Sequence, residues 1–579
     1  MKRMNNVKKT LALMLAMIMV LTSTAFANWD SFQGSNDNNG TTDVDVTTFS
    51  GTPTTVTLPN TNASTGLDVE PLVHGDRIYA FYNGGSEGAK LAAVSAVDGK
   101  VLWDVVVGAQ ANNISQIATP VITEDGKTLY GTTTYTADIF KGITPTVTVK
   151  PANGEAKATD AAKVSIPDGA TLTATYSDVN LPGTYGNLQV STGLTAETGK
   201  FNGTVTVMQG EAKVQEFSGE SYGTYAYSIY YSDGAPIQKG TYTVTVEITN
   251  NTGKAVDWTA NQLLINYWQL FRVTGIDGNS PKVEALTKDA SSETEQYYGY
   301  GQASTPLTLS GNYVYFGIYD GDRAYVQYNT SNGTIARFDP PGDDQFYWAG
   351  AVVVDGHVYF GSEQGVVYAC SEDMFTKQIG NMYVTGGAHI RSTMVYKEHK
   401  FAGLDMGKYL YFTSQDGKLW RVKIEGNSVI MPEYASLGKN VASVSTPTVV
   451  SKGDDSYIYV SYYDPSYGPN NGIKMVKANG LSVVSDVCTV DGMVQSSPVV
   501  YTKDGSDYIY FTTNTWNGTG YYCKYDGTST TSAESVSDTS AYCLQGFAMG
   551  QYSTGSGPLT RTVRFAVFGN DNGQLVIVK

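Results

Sequence analysis

The chain has 579 residues, more than one ordinary core can serve, so it must be either multidomain or a repeat. Its 54 acidic residues outnumber 38 basic ones and give a net charge of −16. That balance argues against a nucleic-acid partner, whose phosphates call for clustered Lys and Arg, and favours a soluble protein with little non-specific adhesion.

In chain order, the first feature is a secretory signal. Lys2, Arg3, Lys8 and Lys9 precede an apolar run over 11–21 that is too short to span a bilayer comfortably. Ala25-Phe26-Ala27 then supplies a small-x-small cleavage site, so 1–27 is expected to be removed and the mature chain to begin at Asn28. A retained N-terminal anchor is the competing reading. Cleavage removes four positive charges and takes the net charge from −16 to −20. No second long apolar run follows, and no cysteine stands at the cleavage site to carry a lipid. The expected location is therefore outside a bacterial cell, secreted or held at the surface, with no transmembrane segment after cleavage.

The mature chain is a repeat. In 445–474, Ser445-Thr446-Pro447 opens an apolar run, a polar turn follows, then the alternating run Tyr457-Ile458-Tyr459-Val460, a Gly turn and another apolar run. The same order recurs at 71–103, at Thr119-Pro120 before Tyr130, and at Thr305-Pro306 before Tyr313-Val314-Tyr315-Phe316. It recurs again before Tyr359, Tyr411 and Tyr510, and finally over 546–578. The period of roughly 43–55 residues lies in the range of propeller blades. Each copy holds short runs rich in Tyr, Val, Ile and Phe, separated by Asp-Gly, Asn-Gly or Gly-Gly turns. Helical periodicity is essentially absent. A ring of blades suits such small sheets, because radial packing covers their faces and leaves only short edges.

These motifs (Pro-x-Val, Gly-x-x-Tyr, Gly-x-Leu/Val, then Asp98-Gly99-Lys100-Val101-Leu102-Trp103) resemble the PQQ-type, or quinoprotein-like, β-propeller repeat. Trp29-Asp30-Ser31-Phe32-Gln33-Gly34 through Gly40 resembles that family's Trp-x-x-Phe-x-Gly lead-in. The resemblance implies an all-β propeller of seven or eight blades, eight favoured, whose last blade is completed by a strand from 54–58.

The second copy is interrupted. Its second strand is expected to end near Thr134 and its third to resume at Tyr267, with strand-like runs at 146–149, 171–176, 204–208, 225–230 and 241–249 between them. This pattern resembles an immunoglobulin-like or fibronectin-like sandwich. The expected organisation is propeller over 28–136, inserted sandwich over 137–265, and propeller over 266–579. A sandwich brings its ends close together, so a blade can accept it.

Chemistry is sparsely signalled. His74, His357, His389 and His399 show no metal-ligand spacing, and no GxSxG elbow or phosphate loop is present. The family's redox members hold a quinone with calcium; here Asp320-Gly321-Asp322 and Asn570-Asp571-Asn572 read as turns, so PQQ and calcium are not expected. Cys370, Cys488, Cys523 and Cys543 lack CxxC spacing; a Cys523–Cys543 disulfide or buried free thiols are the two readings. The segments entering the innermost strands carry Gln116, Tyr298, Tyr300, Gln302, Tyr347, Trp348, His389, Arg391, Gln495 and Gln545. Amides, aromatics and one Arg suit a neutral polar ligand or an extended peptide; polar plugging of the channel is the bland alternative. The expectation is a monomeric, non-enzymatic binding or scaffold protein recognising an envelope protein or glycan. A PQQ-dependent dehydrogenase and a carbohydrate-active propeller are the alternatives.

Overall fold

The computed structural model describes residues 28–579 apart from 36, 46, 48–51, 62–65, 109–111, 114–117, 160–162, 233–234, 287–298, 374, 377, 402–403, 427, 528–531 and 556–558. The expected signal and the candidates Gln116 and Tyr298 lie outside the described residues.

The chain is all-β. Eight antiparallel sheets follow one another among the described residues, each built on four strands taken in chain order. Sheet one comprises Leu72–His74, Arg77–Asn83, Ala89–Ser95 and Val101–Val106. Sheet two is built on Val121–Ile122, Thr128–Asp138, Gln262–Thr274 and Lys282–Ala285. Sheets three to seven begin at Thr308–Ser310, Val352–Val354, Val395–Phe401, Thr448–Lys452 and Val499–Lys503. Sheet eight holds Ala548–Thr554, Arg561–Gly569 and Gln574–Val578, and its fourth strand is Thr54–Thr57, paired from Thr54↔Ile577 to Thr57↔Gln574.

The alternating runs explain why the sheets stack in a closed circuit. On Asp455–Tyr462, Ile458, Val460 and Tyr462 enter the core shared with sheet five, while Tyr459 enters the core shared with sheet seven beside Ile509 and Phe511. A second strand buried on both faces therefore reads apolar throughout. The circuit closes in the same way. Tyr79 and Phe81 of sheet one pack towards Leu129 and Phe271 of sheet two; Ile78, Ala80 and Tyr82 join Phe565, Val567 and Leu575 in the core shared with sheet eight. Each such fully buried ring or branched side chain contributes about 1.5–3 kcal/mol. This is the organisation of a β-propeller.

Sheet two continues outward into a second all-β unit. Thr128–Asp138 and Gln262–Thr274 pair without interruption from Thr128↔Thr274 to Asp138↔Leu264, and Leu188–Thr195 then pairs with residues 262–264. Facing this extension is a six-stranded sheet containing Thr146–Lys150, Thr171–Leu181, Gly240–Asn251, Lys200–Gln209 and Ala212–Glu220. Phe201, Ile248, Trp258 and Ile265 lie in the core between them, and Phe140 stacks on Tyr176 at 3.7 Å. The two long strands overrun the expected ends at Thr134 and Tyr267, because their pairing runs unbroken from the ring into the strands that wall the second core.

We call the side where the innermost strands begin the leading face, and the side of their first turns the trailing face. Residues 28–42 cross the inner strands towards the trailing face. Trp29 bridges Val73, the Asp30 carbonyl accepts from Ile122 N at 2.8 Å, and Asp30 pairs with His74 Nδ1 at 2.7 Å. Asn38 Nδ2 donates to the carbonyls of Ala351 and Met394, and Asn39 exchanges two hydrogen bonds with Val449. Thr41–Thr42 then pairs in parallel with Val500 and Tyr501. Gly34 sits at φ +71°, and a Cβ there would overlap the Trp29 ring. Residues 28–42 thus tie six sheets together.

All four cysteines are buried free thiols. Cys523 Sγ lies 3.1 Å from Cys488 Sγ, not beside Cys543, whose sulfur faces Thr539 and Ala541. This corrects the Cys523–Cys543 pairing: neighbouring strands of sheets six and seven meet in one core, whereas Cys543 belongs to the core of sheets seven, eight and one.

Candidate binding site

The second all-β unit continues from the second and third strands of sheet two, which places it over the leading face. Its loop between Thr171–Leu181 and Leu188–Thr195 docks on the turn at 320–323 of sheet three. Thr184 bridges Gly321, Gly186 N and Asn187 Nδ2 donate to the Asp320 carboxylate at 2.8 and 2.9 Å, and Arg323 Nε donates to the Thr184 carbonyl at 3.1 Å. Burial raises the Asp320 pKa, and the bonds from Gly186, Asn187 and Arg323 oppose it. Gly321 has φ +57°, and a Cβ there would collide with the Tyr300 backbone.

Beside this joint is a cavity of about 380 Å³ lined by Tyr185, Asn187, Leu264, Ile265, Asn266, Gln302, Tyr319, Asp320, Tyr347 and Arg391. Three of the residues singled out from sequence (Gln302, Tyr347 and Arg391) therefore converge. Arg391 donates Nε to Glu363 Oε1 at 3.0 Å and Nη2 to Oε2 at 2.6 Å, and its guanidinium lies 4.8 Å from the Tyr347 ring centroid. Glu363 is buried. Burial pushes the Tyr347 hydroxyl up to about 12, with the Arg391 charge opposing. Tyr319 lies 4.7 Å from Tyr347, and its hydroxyl accepts from Asn187 Nδ2 at 2.8 Å. The Tyr185 hydroxyl, in a residue only 2 % exposed, has no hydrogen-bond partner among the described residues.

The other candidates lie elsewhere. Trp348, expected to offer a stacking face, is 8 % exposed at φ +65° and packs with Ala442, Val444, Tyr463 and Leu544. Segments from three sheets meet there, so Trp348 fills the hub. Tyr300 pairs with Tyr267 on the long strand, 5.4 Å between ring centroids. His389 Nδ1 meets the Glu363 carbonyl at 2.5 Å. Gln495 Oε1 accepts from Asn514 at 2.7 Å, and Gln545 is buried between sheets seven and eight. The contributions of Tyr185, Asn187 and Asn266 were not visible in the repeat pattern, since they depend on how the insertion docks.

No family model matches the chain, and no curated protein matches it. Among solved structures it is similar to quinohemoprotein alcohol dehydrogenase ADHIIG from Pseudomonas putida HK5, at 9 % identity and a TM-score of 0.44, covering 96 % of this chain and 80 % of that one. Saccharomyces cerevisiae Sqt1 gives 9 % identity and a TM-score of 0.44, covering 90 % and 98 %. The computationally designed Ika8 protein gives 8 % and 0.39 over 90 % and 98 %.

The residues present do not suit a quinone with calcium at the hub. The apolar cluster around Trp348 occupies it, whereas calcium requires several convergent oxygen ligands. Among the described residues no group of three or more His, Cys, Asp or Glu side chains is placed to hold a metal. Asp68 and Asp571 do meet near the hub, and burial together with the Asp68 carboxyl raises the Asp571 pKa. Two carboxyls that share a hydrogen bond stand closer than the ~5–5.5 Å of a retaining glycosidase pair.

Proposed function

We propose that the chain is an eight-bladed propeller with an immunoglobulin-like sandwich inserted in its second blade, exported past residues 1–27. Propeller segments 28–136 and 266–579 then flank an insertion at 137–265. In this reading it is a non-enzymatic binding or scaffold protein of a bacterial cell envelope, recognising a protein segment or a glycan at its leading face. The observation that carries the reading is the junction pocket, where Gln302, Tyr347 and Arg391 of the ring meet Tyr185 and Asn187 of the insertion. Concave sites lined by aromatic rings and a few directional polar groups at the meeting of two units are the usual form of ligand pockets. Trp516, exposed on the second-to-third-strand turn of sheet seven, extends aromatic surface across the same face, whereas Tyr467 on the corresponding turn of sheet six is exposed but stands apart from the cavity lining.

The test is capture of envelope material by the full chain and by its Tyr347→Ala and Gln302→Ala variants. A protein or glycan retained by the parent and lost by both variants supports the reading. Equal capture by all three places recognition outside this pocket and overturns it.

A further inference from the structure

We propose that the junction pocket seats one ring of a neutral glycan. This rests on the binding reading above and narrows it to a ligand class. The cavity of about 380 Å³ has room for a sugar ring and the first atoms of its neighbours.

The charges around it are already engaged. Arg391 spends its fork on Glu363, and the Asp320 carboxylate accepts from Gly186 N, Asn187 and Arg323. A charged ligand would have to compete with these buried pairs. A peptide adding itself as a strand has no edge to join. Leu264, Ile265 and Asn266 already pair with Asp138, Ala137 and Thr136; on the other side Leu264 pairs with Gln189, and the Asn266 carbonyl accepts from Gly301 N at 2.7 Å.

What the pocket offers is neutral. Gln302 supplies a carboxamide donor and acceptor. The Tyr319 and Tyr347 rings supply apolar walls. A sugar hydroxyl both donates and accepts, so two neighbouring hydroxyls can meet the carbonyl and the amino end of the Gln302 amide together. The C–H face of a pyranose suits a tyrosine ring.

The experiment is calorimetry and array binding on the full chain. The probes are neutral gluco-, manno-, xylo- and chito-oligosaccharides, uronate oligosaccharides and unstructured peptides. The variants are Gln302→Ala, the near-isosteric Gln302→Glu and Tyr185→Phe, with Tyr467→Ala as a remote control on the same face. Thermal melting checks each fold. A neutral oligosaccharide should bind, lose about tenfold or more with either Gln302 variant, change less than about twofold in Tyr185→Phe, whose missing oxygen lies out of the ligand's reach, and be unchanged in Tyr467→Ala. Its affinity should move less than about twofold between roughly 0.05 and 0.5 M salt. Uronate or peptide binding with the same Gln302 dependence would overturn the neutral-glycan assignment and leave the binding reading standing. If no probe class responds to any pocket variant, both fall.

Discussion

Trp29 donates its indole N–H to Glu70 Oε1 at 2.7 Å, and the Gln33 backbone N–H donates to the same oxygen at 2.9 Å. Gln33 Nε2 reaches Oε2 at 3.2 Å, so one buried carboxyl holds the whole lead-in segment. Glu70→Ala would leave the Trp29 and Gln33 donors buried without an acceptor, at a cost of about 2–4 kcal/mol. Glu70→Gln keeps an acceptor and should cost less. Denaturant unfolding measures the difference, and proteolysis should cut near the N-terminus first in the alanine variant.

The same carboxyl gives a pH dependence whose sign can be worked out. Complete burial lifts the Glu70 pKa to about 7, against the bonds from Trp29 and Gln33. The native state therefore holds a proton that the unfolded chain releases between the ordinary glutamate range and neutrality. The stabilisation is fully present below the unfolded pKa and is lost as pH rises through about 7. Asp571, raised by burial and by Asp68, acts in the same direction. Melting temperature should fall between about pH 5 and 8, and Glu70→Gln should flatten that slope. A slope of opposite sign in the parent, with no change in the variant, would remove Glu70 as its cause.

The strands were legible because the physics behind them is local. Tyr457-Ile458-Tyr459-Val460 alternates between two cores, and the closing partner of the last sheet lies at Thr54–Thr57, within the 54–58 that the resemblance to the quinoprotein-type repeat implied. Leu188–Thr195 and Ala212–Glu220 escaped notice: the first carries Gly193 and several polar residues, and the second is largely exposed. In the candidate site, Gln302, Tyr347 and Arg391 were singled out from sequence because segments entering inner strands converge by geometry, and they line one cavity. Asn187 was not, because its position follows from the docking of Gly186 and Asn187 on Asp320, a long-range contact that leaves no periodic trace. Trp348 was misassigned for a related reason: the sequence marks an aromatic near the axis without saying whether it faces the pocket or fills the hub.

Arg391, partly exposed to the cavity, forms a two-pronged pair with the buried Glu363, and removing Arg391 strands the Glu363 charge in the interior. Arg391→Ala should therefore destabilise the protein by about 3–5 kcal/mol. The Arg391→Ala/Glu363→Ala double variant should recover a substantial part of that loss. A thermodynamic cycle measured by denaturation checks the coupling; additive effects would show that the pair acts as two independent side chains.

The thiols make a connectivity prediction. Burial raises the Cys370, Cys523 and Cys543 pKa values, so alkylation of the native protein should be slow. Should the chain be isolated oxidised, peptide mapping should find Cys488 joined to Cys523. Cys543→Ser should leave that bridge intact and Cys488→Ser should abolish it. A mapped Cys523–Cys543 link would contradict the packing of sheets six and seven.

The last prediction joins fold to site. Gly321 holds φ +57° in the turn on which the insertion rests, with Gly183 opposite it and the Tyr300 and Gly301 backbone beneath it. A methyl group cannot be absorbed there, since the atoms it would meet are main chain. Gly321→Ala should displace the turn, break the Thr184 bridge and loosen the bonds from Gly186 and Asn187 to Asp320. The ring's cores between sheets three and four lie below that turn and should survive. Protease cleavage within 182–187 should accelerate while the far sheets stay protected, and ligand affinity at the junction should fall even though Gly321 is not among the residues lining the cavity. Unchanged cleavage and affinity would mean that the loop docks independently of this glycine, and that the pocket is shaped by the continuous strands of sheet two alone.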